Sequence, residues 1–332
     1  MRPRAAAALA LSGRYAGPGR QAAAGLAAWA RAGGVRLEIL DDRSRPAETA
    51  RRYRALARRA DLLLGPYGSG PTRAVASALE GTPAVVWNHG GAALEDRGAR
   101  LVDVLGPAER YWTGLAAVLA AQEVPLARVA VLRADSGFGR ATAAGAAASL
   151  RAAGAEPLLE GVFAEADAGA AAERALAAGA ACVVGCGRIE DDLALGRALA
   201  GAAERPAAVA LVVCGVGLAA EVLGGAVEGW IGPAQWLAGG QAPPVALGRG
   251  ADYPAAQALA AGLIAQQALA AAGGSDPDAL WDAARALRTE TFLGPFAVDE
   301  AGRQVAHAPL LVRWTRLAGD LRREVVWRPP PP

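Results

Sequence analysis

The chain is 332 residues long and 53% hydrophobic, ample for a buried core and more in keeping with two lobes than one. Its 34 basic and 32 acidic residues leave a net charge of +2 at pH 7, with no aromatic-studded basic stripe for nucleic acid and no charge block for a membrane surface. Every basic residue other than the two histidines is arginine, and without lysine there is neither a Walker-type phosphate loop nor a Schiff-base enzyme.

Strand-like and helix-like patterns alternate from the start. MRPRAAAALALSGRYAG has the outline of a signal peptide, but its apolar stretch of about seven residues is short for one. Ala5–Leu11 therefore reads as the first strand. Helical spacing over Pro18–Ala32 ends at Gly33-Gly34, Val35–Leu40 alternates as a strand, and Pro46–Ala60 is an arginine-rich helix. DLLLG is a strand, Pro71–Glu80 a helix with proline in its first turn, and Pro83–Trp87 another strand. A second series follows Leu105-Gly106-Pro107. It runs through a helix at Ala108–Gln122, a strand at Arg128–Asp135, a helix to Ala153, a strand at Glu156–Phe163 and a helix to Ala178. CVVG, a further helix, and strands at Ala208–Gly215 and Val227–Gly232 complete it. The tail offers an alanine-rich helix at Ala251–Gly274, a second at Pro277–Leu287, and short strands at Thr291–Val298, Pro309–Arg313 and Glu324–Trp327. This βα repetition implies parallel sheets covered by helices on both faces. No apolar run approaches the ~20 residues of a membrane span, so the chain is expected to be soluble, with no visible export signal.

One stretch asks a chemical question. Leu62–Thr72 reads LLLGPYGSGPT, a strand that breaks into a Gly/Ser-rich turn before a helix. Such turns hold anions at the helix N-terminus. It is not a phosphate loop, because no Gly-Lys-Ser/Thr follows, and Gly65, Gly68 and Gly70 do not space as GxGxxG. Nor is it a nucleophile elbow, since Tyr67 and Pro71 flank Ser69 where glycines are needed. The adjacent acids Asp41-Asp42 and Asp191-Asp192 read as a solvated turn or helix start. Cys182, Cys186 and Cys214 have neither disulfide nor zinc spacing and read as small apolar residues near strand ends. No catalytic residue, cofactor or metal is expected.

What remains is a polar rim above a parallel sheet, where open α/β sheets bind ligands. The loops after successive strands carry SGRYAG, GPYGSG, NHGG, DSGFG, GRIEDD and GVG, the makeup of a small-molecule site. LSGRYAGPG, LEILDDRSRPAETA, LLLGPYGSGPTRAV, RVAVLRADSGFGRATAAG and TFLGPFAVDEAGRQVAHAPLLVRW, in that order, resemble the type I periplasmic binding proteins, specifically the leucine/isoleucine/valine-binding branch of ABC-importer receptors.

The resemblance implies an α/β fold of two doubly wound parallel-sheet lobes joined by a three-crossover hinge. Lobe 1 would hold 1–107 plus 237–307 and lobe 2 108–236 plus 308–332, with the ligand in the cleft they form. The family's carboxylate-gripping serine maps onto Ser69, beside the backbone N–H of Gly70; an ordinary helix N-cap is the alternative reading of that serine. Asn88, His89, Gly90 and Gly91 fill the strand-4 loop, where the family offers a threonine; an ordinary strand-end turn is the alternative reading of them. The second-lobe aromatic maps onto Phe138. The acid that meets a ligand ammonium falls at Val216, so Asp135, Glu190 or Asp191 would have to replace it. Tyr15, Tyr67 and Trp87 would suit the cleft walls, and Arg188 could pair with a ligand anion. A His89–carboxylate contact would strengthen binding as pH falls through about 6.5.

The function implied is a solute receptor for a small polar molecule (amino acid, amide or carboxylic acid) that serves an ABC permease outside the cytoplasm and performs no catalysis. The alternative is a cytoplasmic ligand sensor of the same fold.

Overall fold

A computed structural model describes residues 2–94, 97–238, 240–248 and 250–330. The chain begins with β1 (Arg4–Leu9), α1 (Ala16–Gly33), β2 (Arg36–Asp41), α2 (Pro46–Leu56), β3 (Leu62–Leu64), α3 (Ser69–Ala78), β4 (Val85–Asn88) and β5 (Arg100–Asp103). The next stretch contains α4 (Leu115–Ala121), β6 (Val129–Ala134), α5 (Gly137–Ala152), β7 (Leu159–Phe163), α6 (Ala168–Ala177), β8 (Cys182–Cys186), α7 (Ile189–Gly201), β9 (Ala208–Leu211), α8 (Leu218–Leu223) and β10 (Ile231–Ala234). The last contains α9 (Tyr253–Ala271), α10 (Pro277–Ala286), β11 (Thr289–Thr291), β12 (Gly294–Phe296), β13 (Leu310–Leu317) and β14 (Asp320–Trp327).

These elements form two units, Met1–Pro107 with Trp236–His307, and Ala108–Gln235 with Ala308–Pro332. Trp236, read from the sequence as the end of the second lobe, belongs to the first unit because its indole packs edge-on to Phe292.

The first unit's sheet is parallel, in the order β2-β1-β3-β4-β5. Alternate residues of its strands serve opposite faces, as the pleat requires. Leu62, Leu64, Val85 and Trp87 enter one core with α1 and α9, while Leu63 and Val86 enter another with Tyr53, Leu56 and Val75. Burial on both faces explains why these strands read as unbroken apolar runs. Helix α9 carries no polar stripe because it too is buried nearly all round. It seats on α1 where two glycines permit it: a Cβ on Gly25 would lie 2.1 Å from the Ala255 carbonyl oxygen, and one on Gly262 2.3 Å from the Trp29 ring.

The second unit's sheet runs β14-β13-β10-β9-β8-β6-β7. It is parallel from β10 to β7, while β13 and β14 add an antiparallel edge. The β13–β14 turn places Ala318 and Gly319 at positive φ (51° and 94°), as a two-residue hairpin demands.

Several expectations are corrected. The edge strand β5 was not foreseen. The helix expected over 108–122 is a short 3-10 turn at Ala108–Arg110 and then α4, because the chain at Gly114 passes against Trp327, whose ring lies 2.2 Å from where a Cβ would be. The strand expected over 208–215 stops at Leu211 and turns into a 3-10 segment, Val212–Gly215, pressed against the Pro233 carbonyl. All three cysteines are buried and free. Among the described residues no helix is long and apolar enough to cross a membrane.

Candidate functional site

The sequence-predicted residues lie at or next to the carboxyl ends of the strands, and each unit can be read separately. In the first, Asp41 closes β2 and clamps the β1–α1 loop. It accepts the Leu11 and Ser12 N–H groups at 3.0 and 3.2 Å and the Ser12 hydroxyl at 2.6 Å. Ser44 completes the clamp by donating to the Ser12 carbonyl at 2.8 Å and accepting the Tyr15 N–H at 3.0 Å. Asp42, expected on a solvated turn, is buried and bonds the Ser44 N–H and the Thr49 hydroxyl. This carboxylate pair therefore builds the loop that carries Tyr15.

Tyr15 stands edge-on to Tyr67, 6.2 Å between ring centroids, and the Tyr67 hydroxyl bonds the Tyr253 hydroxyl at the start of α9. Tyr253 was missed by sequence reasoning. Its signal was scarcity: the chain has five tyrosines, and three of them converge here.

Helix α3 begins at Ser69, two residues before the expected start, with Gly68 as N-cap at φ 98°. Ser69 is therefore not the N-cap that the alternative reading supposed. Its Oγ accepts the Ala93 N–H at 3.2 Å, which leaves the hydroxyl proton available to a ligand oxygen. The next residues are Gly70 and Pro71. Proline has no N–H, so Ser69 and Gly70 supply the first-turn donors that a helix cannot satisfy internally. At the N-terminus these N–H groups form the positive end of the helix dipole, which favours an anion.

The β4 loop differs from expectation. Asn88 is fully buried and its amide is saturated: Oδ1 accepts the Gly90 and Gly91 N–H groups at 3.2 and 2.9 Å, and Nδ2 donates to the Gly91 carbonyl and to Asp103 Oδ1, both at 2.7 Å. An amide has two donors and two acceptor lone pairs, so none remains for a ligand. Asn88 builds the turn instead. Through it Gly90 presents its carbonyl to the Gly68 N–H at 2.9 Å. Gly90 has to be glycine, since a Cβ there would lie 2.5 Å from the Pro66 carbonyl oxygen. His89 is wholly buried, and burial lowers its pKa to about 4, offset only in part by the backbone of His89 and Gly65. It is neutral near pH 7, which argues against the ionising contact anticipated for it. Trp87, expected in a cleft wall, is core.

In the second unit, Phe138 lies in the first turn of α5, capped by Ser136, and stands edge-on to Tyr111 at 5.6 Å. Tyr111 was also missed; burial raises its pKa to about 12 despite a hydrogen bond with Gln235. Asp135 is exposed and lies beside Arg133 and Arg140. Arg188 grips the buried Asp191 with two nitrogens, at 2.7 and 3.1 Å. Glu190 is in the first turn of α7. Asp192 holds the β8 and β9 ends together by accepting the Gly187 and Val213 N–H groups at 2.7 and 3.0 Å, and burial raises its pKa to about 7. Val216 follows the 3-10 turn after β9 and has no carboxylate near it in sequence.

A cavity of about 530 Å³ in the first unit, lined by Arg97, Arg100 and Trp281 among others, sits by Pro83 and Arg100, at the opposite, amino ends of β4 and β5. It contains none of the residues expected at the ligand rim. Among the described residues no group of three or more His, Cys, Asp or Glu side chains could hold a metal ion.

The periplasmic binding protein family model matches residues 4–320. A search of curated protein sequences found no match. Among solved structures, a leucine-binding protein (LivK) from Thermotoga maritima shares the fold at 17% identity and TM-score 0.80, covering 98% of this chain and 99% of that one. A solute-binding protein of an R. palustris ABC transporter, solved with 4-hydroxybenzoate, is similar at 17% identity and TM-score 0.84, covering 98% and 96%. An ABC transporter substrate-binding protein from Sphaerobacter thermophilus is similar at 19% identity and TM-score 0.83, covering 99% and 98%. With the two helix-covered, largely parallel sheets described above, the family match over nearly the whole length establishes that this chain belongs to the periplasmic binding protein family and has its type I fold.

Proposed function

We propose that this protein is the solute receptor of an ABC importer, works outside the cytoplasm, and captures a small carboxylic acid with an aromatic body. The observation that carries this reading is the first-unit rim, where the Ser69 hydroxyl and the α3 first-turn N–H groups stand in the same unit as the Tyr15–Tyr67–Tyr253 cluster. A hydroxyl plus helix N-terminal donors suits a carboxylate, and tyrosine faces and edges suit a ring. An α-amino acid fits less well. The position expected to meet an ammonium is Val216, Asp135 lies among arginines, and Asp191 is held by Arg188, so of the three substitutes only Glu190, in the first turn of α7, is left for that role. A neighbour of the same fold was solved with 4-hydroxybenzoate, which supports an aromatic acid as a cargo this fold accommodates.

Calorimetry with benzoate, 4-hydroxybenzoate, benzamide and leucine tests the proposal. The acids should bind at least about ten-fold tighter than the neutral amide, because a charge-assisted bond is roughly twice as strong as a neutral one. Equal affinity for benzamide, or tighter binding of leucine, would overturn it.

A further inference from the structure

The Asn88 turn does not stand alone. Asn88 Nδ2 reaches Asp103 Oδ1 at 2.7 Å, and Arg97 Nη1 reaches the other carboxylate oxygen, Oδ2, at 2.5 Å. Arg97 is itself fixed from its other nitrogen, Nη2, which donates to the Leu101 and Gly302 carbonyls at 2.5 and 3.3 Å. The ion pair is largely buried, with side-chain exposures of 9% for Arg97 and 12% for Asp103. Arg303 adds a second positive charge near Asp103. Asp103 is anchored by its own N–H to the Gly302 carbonyl at 2.9 Å.

At the inner end, the turn that Asn88 builds makes two contacts with the anion grip. The Gly90 carbonyl holds the N–H of Gly68, the N-cap of α3, and the Ala93 N–H holds Ser69 Oγ. A continuous hydrogen-bonded line thus runs from Arg97 through Asp103 and Asn88 to the turn beside Gly68 and Ser69.

We propose that Asp103 and Arg97 are positioning residues for ligand binding: they orient Asn88, and through its turn they set the Gly68–Ser69 grip. The physical case is one of saturation. An amide can be rotated by half a turn at little cost unless its donor and acceptor sides are distinguished. Here both sides are distinguished at once. Asp103 accepts only, so it demands the Nδ2 side, and the Gly90 and Gly91 N–H groups then receive Oδ1. Burial pushes the Asp103 pKa up, and the ion pair and hydrogen bond from Arg97 work against that rise, favouring the charged, accept-only form. The Gly91 carbonyl and the Gly90 and Gly91 N–H groups favour the same orientation, but all three lie within the turn itself. Without the pair Asn88 loses its bond to the neighbouring strand β5, and the grip loses that anchor. Preorganisation of this kind enters affinity directly, since an unfixed loop must be ordered when the ligand arrives.

The inference rests on the solute-receptor reading for its ligand, so two readouts are paired. Amide hydrogen exchange at Gly90 and Gly91 needs no ligand, and calorimetry uses 4-hydroxybenzoate. Asp103→Asn is the primary variant. Arg97→Ala, at the outer end of the line, serves if Asp103→Asn fails to fold. Arg100→Ala is the control, since it breaks the neighbouring Arg100–Asp278 ion pair without touching the line. Exchange at Gly90 and Gly91 should accelerate by about ten-fold or more, and affinity fall by about ten-fold, in the first two variants, with both within about two-fold of wild type in the control. Unchanged exchange would overturn the inference. So would accelerated exchange with undiminished affinity, which would leave the pair a merely structural role. If wild type binds none of the aromatic acids, the receptor reading for that class fails, while exchange still decides whether the pair holds the turn.

Discussion

Replacing Asn88 with alanine should be among the most damaging single changes in the first unit. The side chain is fully buried and makes four hydrogen bonds, to the Gly90 and Gly91 N–H groups, the Gly91 carbonyl and Asp103. At ~1 kcal/mol net for each bond, the loss is ~4 kcal/mol, with a range of ~2–6 kcal/mol. That is a large fraction of the ~5–15 kcal/mol that holds a folded protein together. Asn88→Asp should be about as damaging, because the new carboxylate keeps the two N–H bonds but opposes Asp103 and the Gly91 carbonyl. Urea unfolding followed by tryptophan fluorescence measures both, and the transition assigned to the first unit is the one to compare. A loss below ~1 kcal/mol for Asn88→Ala would refute the reading of Asn88 as the pin of the turn. It would return Asn88 to the role the sequence suggested, a ligand contact.

Three further outcomes are expected. Ser69→Ala should weaken aromatic-acid binding by ~1.5–3 kcal/mol in calorimetry, since it removes a bond to a charged oxygen, yet cost only ~1 kcal/mol in urea unfolding for the lost Ala93 contact; the reverse pattern would contradict the assignment. With its pKa lowered by burial to about 4, His89 should give no ionisation step in ligand affinity from about pH 5.5 to about pH 8. Its stabilising contribution should be intact above about pH 6.5 and fade as pH falls toward 4, so His89→Ala should lose stability less steeply than wild type over that window. Asp192 carries the opposite sign. Its pKa is raised to about 7, so its contribution is complete below about pH 4 and lost as pH rises through 7. Asp192→Asn should be less stable than wild type at pH 4, with the gap narrowing toward pH 7; a gap independent of pH would show that the carboxyl is not neutral when buried.

The alternation of strands and helices was legible because buried parallel strands and amphipathic helices leave strong apolar patterns. What escaped depended on distant contacts. RLVD, the edge strand β5, is four residues with a charge at each end, too short and too polar for periodicity to mark it. The break before α4 comes from Trp327, more than two hundred residues later, pressing on Gly114. The site divides in the same way. The turn before α3 that carries Ser69 was legible from its glycines, and Asn88 and His89 stood out as rare residue types at a strand end. Their roles turned on burial and on one partner, Asp103, which lies on the strand that was not recognised. Tyr253 opens an alanine-rich helix of low complexity, where nothing local distinguishes a rim residue from a buried one.

The receptor reading is tested most directly by what happens to a bound molecule. The purified protein would be loaded with 4-hydroxybenzoate, incubated for many hours and denatured, and the small-molecule fraction weighed by mass spectrometry against the amount loaded. The receptor reading predicts about one equivalent recovered per chain, with its mass unchanged. A product of different mass, or no retained acid at all, would contradict it.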